Sequence, residues 1–158
     1  MSFLESINGN GYEVMTALVI ANVSAQVLKT ILFAIQHRSA DLRMLFTTGG
    51  MPSSHSSSVV AMATTVALLE GLSSTITAIA ISVAVVVMYD SAGVRRAAGK
   101  QAAVLNQIVS ELLSEQHKLS GAKLKELLGH SPKEVIAGAL LGFGVSYGLR
   151  YLIETSIV

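Results

Sequence analysis

Gly49-Gly50-Met51-Pro52-Ser53-Ser54-His55-Ser56-Ser57 stands directly before a long apolar segment, and its reading decides how the chain is understood. Two glycines let the backbone turn sharply with its amides exposed, and Pro52 suits the first turn of a helix. The helix predicted to begin here presents its first free N–H groups to whatever lies in front of it, which favours an anion. His55, one turn inside, is placed to exchange a proton with a bound oxyanion. A serine-rich cap with an incidental histidine would look the same on these residues alone, because serine caps are common. The rest of the chain decides between the two.

A length of 158 residues corresponds to one domain, spanning 1–158. Hydrophobic residues make up 51% and charged residues only 13%, well below the ~25% usual for soluble proteins. With a positive mean hydropathy, this composition points to an integral membrane protein. The absence of cysteine excludes disulfides and thiolate chemistry. Met1 to Glu13 carries no basic region and does not read as a cleavable signal peptide. Nucleic acid is not expected as a partner, since no basic, aromatic-bearing surface lies outside the membrane boundaries.

Residues 1–12 read as a short polar surface segment. From about Glu13 to Ile35 runs the first apolar stretch, long enough for a bilayer that needs ~20 residues. Asn22, Gln26 and Lys29 share one face of it, and intramembrane polar groups by default face a bundle interior or a wet cavity. Lys29 could instead snorkel to the headgroups, but Asn22 and Gln26 extend the same polar face. A second helix is predicted from Ser54 to about Glu70, a reversal at Gly71-Leu72-Ser73-Ser74, and a third helix from about Thr75 to Tyr89. Asp90 reads as a cap for the segment that follows, and Arg95 and Arg96 as headgroup anchors or positive-inside markers. That segment, to about Lys118, places Leu105, Ile108, Val109, Leu112 and Leu113 on one face and is an amphipathic helix. Pro132 opens a last helix from about Lys133 to Ile153, whose Gly138, Gly142, Gly144 and Gly148 form two small-xxx-small pairs for close packing in lipid.

The expected architecture is therefore all-α: a membrane bundle of four transmembrane helices plus one amphipathic interfacial helix. Nearly every Lys and Arg falls in the loops around 36–54 and 90–132, while the side of the termini has essentially Arg150. The positive-inside rule then puts the loops in the cytoplasm and both termini outside. Lys29, His55, Arg95, Arg96, His130 and Glu134 converge at one depth near the cytoplasmic headgroups. A basic, histidine-containing pocket at that depth suits the phosphate of a lipid.

These residues also resemble a family. Pro52-Ser53-Ser54-His55 resembles the Pro-Ser-Gly-His motif of the type-2 phosphatidic acid phosphatases, which include vanadium haloperoxidases. Gly129-His130-Ser131-Pro132-Lys133-Glu134 resembles the family's last motif, in which Gly-x-His is followed by proline and by an acidic residue four after the histidine. Taken with Gly49-Gly50-Met51 and Asp90 to Arg96, the chain is similar to a small divergent branch of that family over roughly residues 22–142.

The resemblance implies hydrolysis of a phosphomonoester or pyrophosphate without metal or other cofactor. It makes His130 the nucleophile, Glu134 the carboxylate that orients it in place of the usual Asp, and His55 the general acid. Ser53, the backbone at Ser54, Lys29, Arg95 and Arg96 would hold phosphoryl oxygens. In the first motif Gln36 stands where the family has an arginine; Arg38 or Arg43 could replace it, and Arg43, nearer the glycine turn, is favoured. In the third motif Leu124 stands six residues before His130, where the family has Arg. An insertion, the amphipathic helix, would account for this by separating Arg95, Arg96 and Gly99 from Gly129-His130.

The leading expectation is a lipid phosphate phosphatase of the cytoplasmic leaflet, whose partners are the bilayer and a membrane lipid phosphate. A homo-oligomer is compatible with the sequence. The alternative is a non-catalytic phospholipid-binding or assembly protein that kept the phosphate cradle. A small anion transporter is weaker, because the polar residues gather at one level instead of lining a crossing path. His37 and His117 read as surface residues, too far from the other histidines for a metal site.

Overall fold

The computed structural model describes residues 2–38, 49–113 and 130–157 and is entirely helical over them. The order is α1 (Phe3–Ile7), α2 (Gly11–His37), α3 (Ser54–Glu70), α4 (Thr75–Ala92), α5 (Val94–Leu113) and α6 (Pro132–Ile157). Three stretches are long and apolar enough to cross a membrane: Gly11–His37, the run Thr75–Ser110 that opens with α4, and Pro132–Ile157. At 17 residues α3 is shorter, about 26 Å against the ~30 Å of a hydrocarbon core.

The bundle hides small residues and shows large apolar ones. On α2 the buried face is Ala17, Ala21, Ala25 and Lys29, at helical spacing, while Val19, Val23, Val27 and Ile31 point outward. Leu140 of α6 is 70% exposed and Val86 of α4 is 67% exposed. In water such a surface would be a liability; in lipid, where tails are as apolar as leucine, tight helix contact depends on small side chains instead.

α3 is the central element, packed against α2, α4 and α6. It runs antiparallel to α2, with Ser57 Oγ donating to the Ala21 carbonyl (3.0 Å) and Asn22 Nδ2 donating to Ser58 Oγ (2.9 Å). It runs parallel to α6, whose Gly138, Gly142 and Ser146 meet Ser53, Ser57 and Ala61 in step. A Cβ on Gly138 would collide with the Ser53 carbonyl oxygen, and one on Gly142 with that of Ser57 and with the Ala61 nitrogen at 3.0 Å. Lower in the bundle, Thr65 Oγ1 donates to Ser146 Oγ (3.1 Å), and Ser146 Oγ donates to the Ala61 carbonyl (2.9 Å). These hydroxyls serve as interhelical contacts where no water is available.

Four expectations need correction. Pro52 lies outside the helix: Ser53 is the N-cap, and a cis peptide bond joins Met51 to Pro52. Residues 1–12 are more than surface, because α1 docks on α6 and buries Ile7 with Ala17, Ala21, Ala61, Leu149 and Ile153. Asp90 does not open the next helix; it lies in the last turn of α4, which ends at Ala92 with Gly93 as C-cap. Of the two glycine pairs only Gly138 and Gly142 meet another helix, since a Cβ on Gly144 or Gly148 would touch nothing. The amphipathic α5 packs against α4 and leaves Leu105, Ile108 and Val109 exposed.

Gly142→Ala should therefore destabilise the detergent-solubilised protein by about 1–3 kcal/mol, the usual cost of overpacking. Gly148→Ala should be neutral or stabilising, because alanine is the better helix former. Thermal unfolding of the two variants side by side checks this, and equal effects would contradict the packing.

Candidate active site

Because α3 and α6 are parallel neighbours, their N-termini open at the same end of the bundle. Each brings unsatisfied N–H groups and the positive end of a helix dipole, so an anion is favoured between them. The two ends are tied directly: Ser53 N–H donates to the Glu134 carbonyl at 3.0 Å.

The α3 end is built by its turn. Gly49 and Gly50 have φ of 106° and 82°, values that disfavour a side chain. Ser53 is wholly buried, and its Oγ accepts from Ser56 N–H (3.3 Å) and Ser56 Oγ (3.1 Å). Ser54 is the first helical residue and is also buried. His55 follows, half-buried.

The α6 end carries His130, which is 3% exposed. Its backbone N–H donates to the Ser91 carbonyl at 3.0 Å, so the last turn of α4 holds it from the far side. Its Nδ1 lies 2.8 Å from Glu134 Oε2. The same oxygen accepts from Ser131 N–H at 3.4 Å. A carboxylate can only accept, so opposite it Nδ1 is the donor, and in a neutral ring that arrangement leaves the lone pair on Nε2. The His130 ring meets that of His55 edge to face, with centroids 6.1 Å apart and planes at 62°. Two imidazoles remote in sequence thus share one site.

Lys29 comes from α2 and is 2% exposed, so it does not snorkel. Its aliphatic stem lies along Gly50, where a Cβ would come within 3.4 Å of Lys29 Cδ. Its ammonium is within electrostatic reach of Glu134. The polar stripe divides by role: Asn22 bonds to Ser58 and serves packing, whereas Gln26 has a buried Oε1 with no hydrogen-bond partner among the described residues. A cavity of about 460 Å³ beside Lys29 is lined also by Gln36, the residue standing in the place of the family's arginine.

The remaining candidates stand elsewhere or outside the described residues. Arg38 is the exposed C-cap of α2, with a φ of 50°. Arg43 and His117 lie outside the described residues. Arg95 and Arg96 occupy the first turn of α5, where only the backbone is described. His37 is exposed and stacks on Phe33 at 4.1 Å, as a surface residue should. Ser91 was not singled out from sequence, since a residue that acts through its carbonyl leaves no side-chain signature. Among the described residues no group of three or more His, Cys, Asp or Glu is placed to hold a metal ion.

Comparison with known proteins gives the chain's family. The chain is 42% identical over 141 residues to "Uncharacterized membrane protein YuiD" of Bacillus subtilis (strain 168), an alignment covering 83% of this chain and 89% of that protein. No solved structure matches it. Residues 11–145, which include α2, both histidine motifs and the glycine contact of α6, match the sequence pattern of one family, and the chain belongs to it: the Divergent PAP2 family, a divergent branch of the type-2 phosphatidic acid phosphatases.

Proposed function

We propose that this protein hydrolyses a phosphate or diphosphate group from a membrane lipid through a phosphohistidine intermediate, at the level of the cytoplasmic headgroups. The observation that carries the reading is the His130–Glu134 contact of 2.8 Å beside His55 at 6.1 Å. It supplies a nucleophile with a fixed tautomer and a second titratable ring next to it.

Nε2 of His130 attacks phosphorus, and the P–O bond to the lipid breaks as His55 gives its proton to the leaving oxygen. Water then attacks the phosphorus of the phosphohistidine, His55 takes a proton from that water, and the P–N bond breaks to release phosphate. The ammonium of Lys29 and the two helix N-termini offset charge that builds on the equatorial oxygens. Arg95 and Arg96 are assigned the same task by their place in the split third motif, and Arg43 as the favoured replacement for the arginine missing at Gln36, with Ser53 and the Ser54 backbone as the cradle. Ser53 Oγ also accepts at the cap, which holds the turn that presents this cradle.

In this reading α3 is a fourth crossing, shortened because its polar start forms the floor of the site, and α5 lies at the interface. The lysine-rich loops are cytoplasmic and both termini are outside. The competing reading, a phosphate-binding protein without turnover, draws on Gln36 in the arginine's place. Glu134 does not favour it, since the longer carboxylate reaches His130 from one helical turn away.

Purified protein should release phosphate from at least one of phosphatidic acid, phosphatidylglycerophosphate and prenyl diphosphate, with chelator present and with inhibition by vanadate. His130→Ala should abolish turnover and His55→Ala should lower kcat by at least ~100-fold. Silence of the wild type on the whole panel would favour the binding protein. Glu134→Gln should lower kcat by about 100-fold or more while leaving thermal stability close to wild type, because its backbone tie to Ser53 persists. A reporter fused after Val158 should be found outside, and a cytoplasmic signal would reverse the leaflet.

A further inference from the structure

Asn22, Gln26 and Lys29 share one face of α2, and the contacts on either side of Gln26 fix where that face points. One turn before it, Asn22 Nδ2 donates to Ser58 Oγ at 2.9 Å. One turn after it, the stem of Lys29 lies along Gly50. Because α2 and α3 are antiparallel, Gln26 falls between these contacts, at the height of the buried Ser54 in the first turn of α3. α2 also packs on α6, whose first turn carries Glu134 within electrostatic reach of Lys29. Gln26 is thus one turn deeper than Lys29, on the face that meets the start of α3.

Its Oε1 is buried and has no hydrogen-bond partner among the described residues. Thr30 Oγ1 donates to the backbone carbonyl of Gln26 (2.9 Å) and leaves the side chain as it was. Glu13, at the far end of the bundle, also has an unpartnered buried oxygen. Its second oxygen, however, accepts from Gly9 N–H (2.8 Å) and Arg150 Nη1 (3.2 Å). A buried amide oxygen left unpaired is destabilising, so its retention beside the site needs an account. A carboxamide has two ends, and half a turn about Cγ–Cδ exchanges the acceptor oxygen for an NH2 with two donors. The oxygens of a phosphoryl dianion only accept, so the amide meets them through Nε2. Gln36 in the arginine's place leaves α2 short of a donor there, and an amide supplies one without the cost of burying a second cation near Lys29.

We infer that Gln26 is a further phosphate-binding residue, whose side-chain amide donates to a nonbridging oxygen of the phosphoryl group held by Lys29 and the cradle at Ser53 and Ser54. The inference rests on the phosphate site of the proposed function but not on turnover there.

The test compares wild type with Gln26→Met, which keeps the length and removes both polar ends, and Gln26→Glu, which keeps the shape and leaves only acceptors. Asn22→Leu is the packing control. Affinity for inorganic phosphate is measured by calorimetry on the full chain in detergent, and thermal unfolding is followed without phosphate. Gln26→Met should weaken phosphate about tenfold and unfold no lower than wild type, because it removes an unpaired group. Gln26→Glu should weaken phosphate by ~100-fold or more, since it adds repulsion between like charges. Asn22→Leu should show the opposite pattern, with lower thermal stability from the broken bond to Ser58 and phosphate affinity as in wild type. On phosphatidic acid, kcat/KM should fall in the same order as the affinities.

Unchanged phosphate affinity in Gln26→Met would overturn the assignment, and so would a Gln26→Met variant that unfolds well below wild type, which would place the amide in packing. A Gln26→Glu variant that binds phosphate as tightly as wild type would overturn it too, because an acceptor would then suffice. Phosphate binding that depends on Gln26 in a protein that hydrolyses no lipid would sink the hydrolase reading and keep the residue. Turnover that every Gln26 variant retains would do the reverse.

Discussion

The structure depends on the contact between the first turns of α3 and α6. Gly138 and Gly142 bring the α6 backbone so close to the carbonyls of Ser53 and Ser57 that no side chain fits between. Ser53 N–H closes the contact on the Glu134 carbonyl. Parallel packing at that distance leaves two helix N-termini side by side, and with them two histidines that the chain keeps far apart. Antiparallel packing of the same helices would place one N-terminus at each end of the bundle and leave neither histidine a partner.

Around this contact the other helices act as supports. α4 contributes the Ser91 carbonyl that fixes the backbone of His130, and α2 contributes Lys29, with its stem held along Gly50. Glu134 stands in the first turn of α6, where the helix dipole favours a negative charge and Ser131 N–H points at the same oxygen. From there its carboxylate reaches Nδ1 of His130 at 2.8 Å, with Ser131 N–H on the same oxygen.

Much of this was legible in the sequence, for identifiable reasons. The extent of α3, Ser54 to Glu70, follows from a serine cap at one end and a glycine at the other, signals that act locally. The interior position of Lys29 follows from its sharing a face with Asn22 and Gln26, a consequence of helical period alone. The pairing of His55 with His130 came from motif resemblance and from counting crossings, not from any local property. What could not be read were features that exist only after packing. Ser91 works through its carbonyl, and Gly138 and Gly142 differ from Gly144 and Gly148 only in which way they face. Pro52 was misplaced because a helix-opening proline and a proline just before the cap have similar neighbours in sequence. The docking of α1 is not legible because only Ile7 and Leu4, in a five-residue helix, carry it.

The polar character of α3 is the feature that most distinguishes this bundle from a set of greasy spans. Ser53, Ser54, Ser56, Ser57 and Ser58 are all buried, and hydroxyls facing hydrocarbon would each carry a penalty unless bonded. They are tolerable because their hydroxyls are bonded: Ser57 donates to the Ala21 carbonyl of α2, Ser58 to the Ser54 carbonyl one turn back, and Ser56 to Ser53 Oγ. Packing among α2, α4 and α6 has an effect of its own. A helix shielded from lipid need not match the thickness of the membrane, so α3 can be shorter than its neighbours. The anion-favouring helix end and the half-buried His55 beside it are then consequences of a single arrangement: a short, serine-rich helix packed among three longer apolar ones.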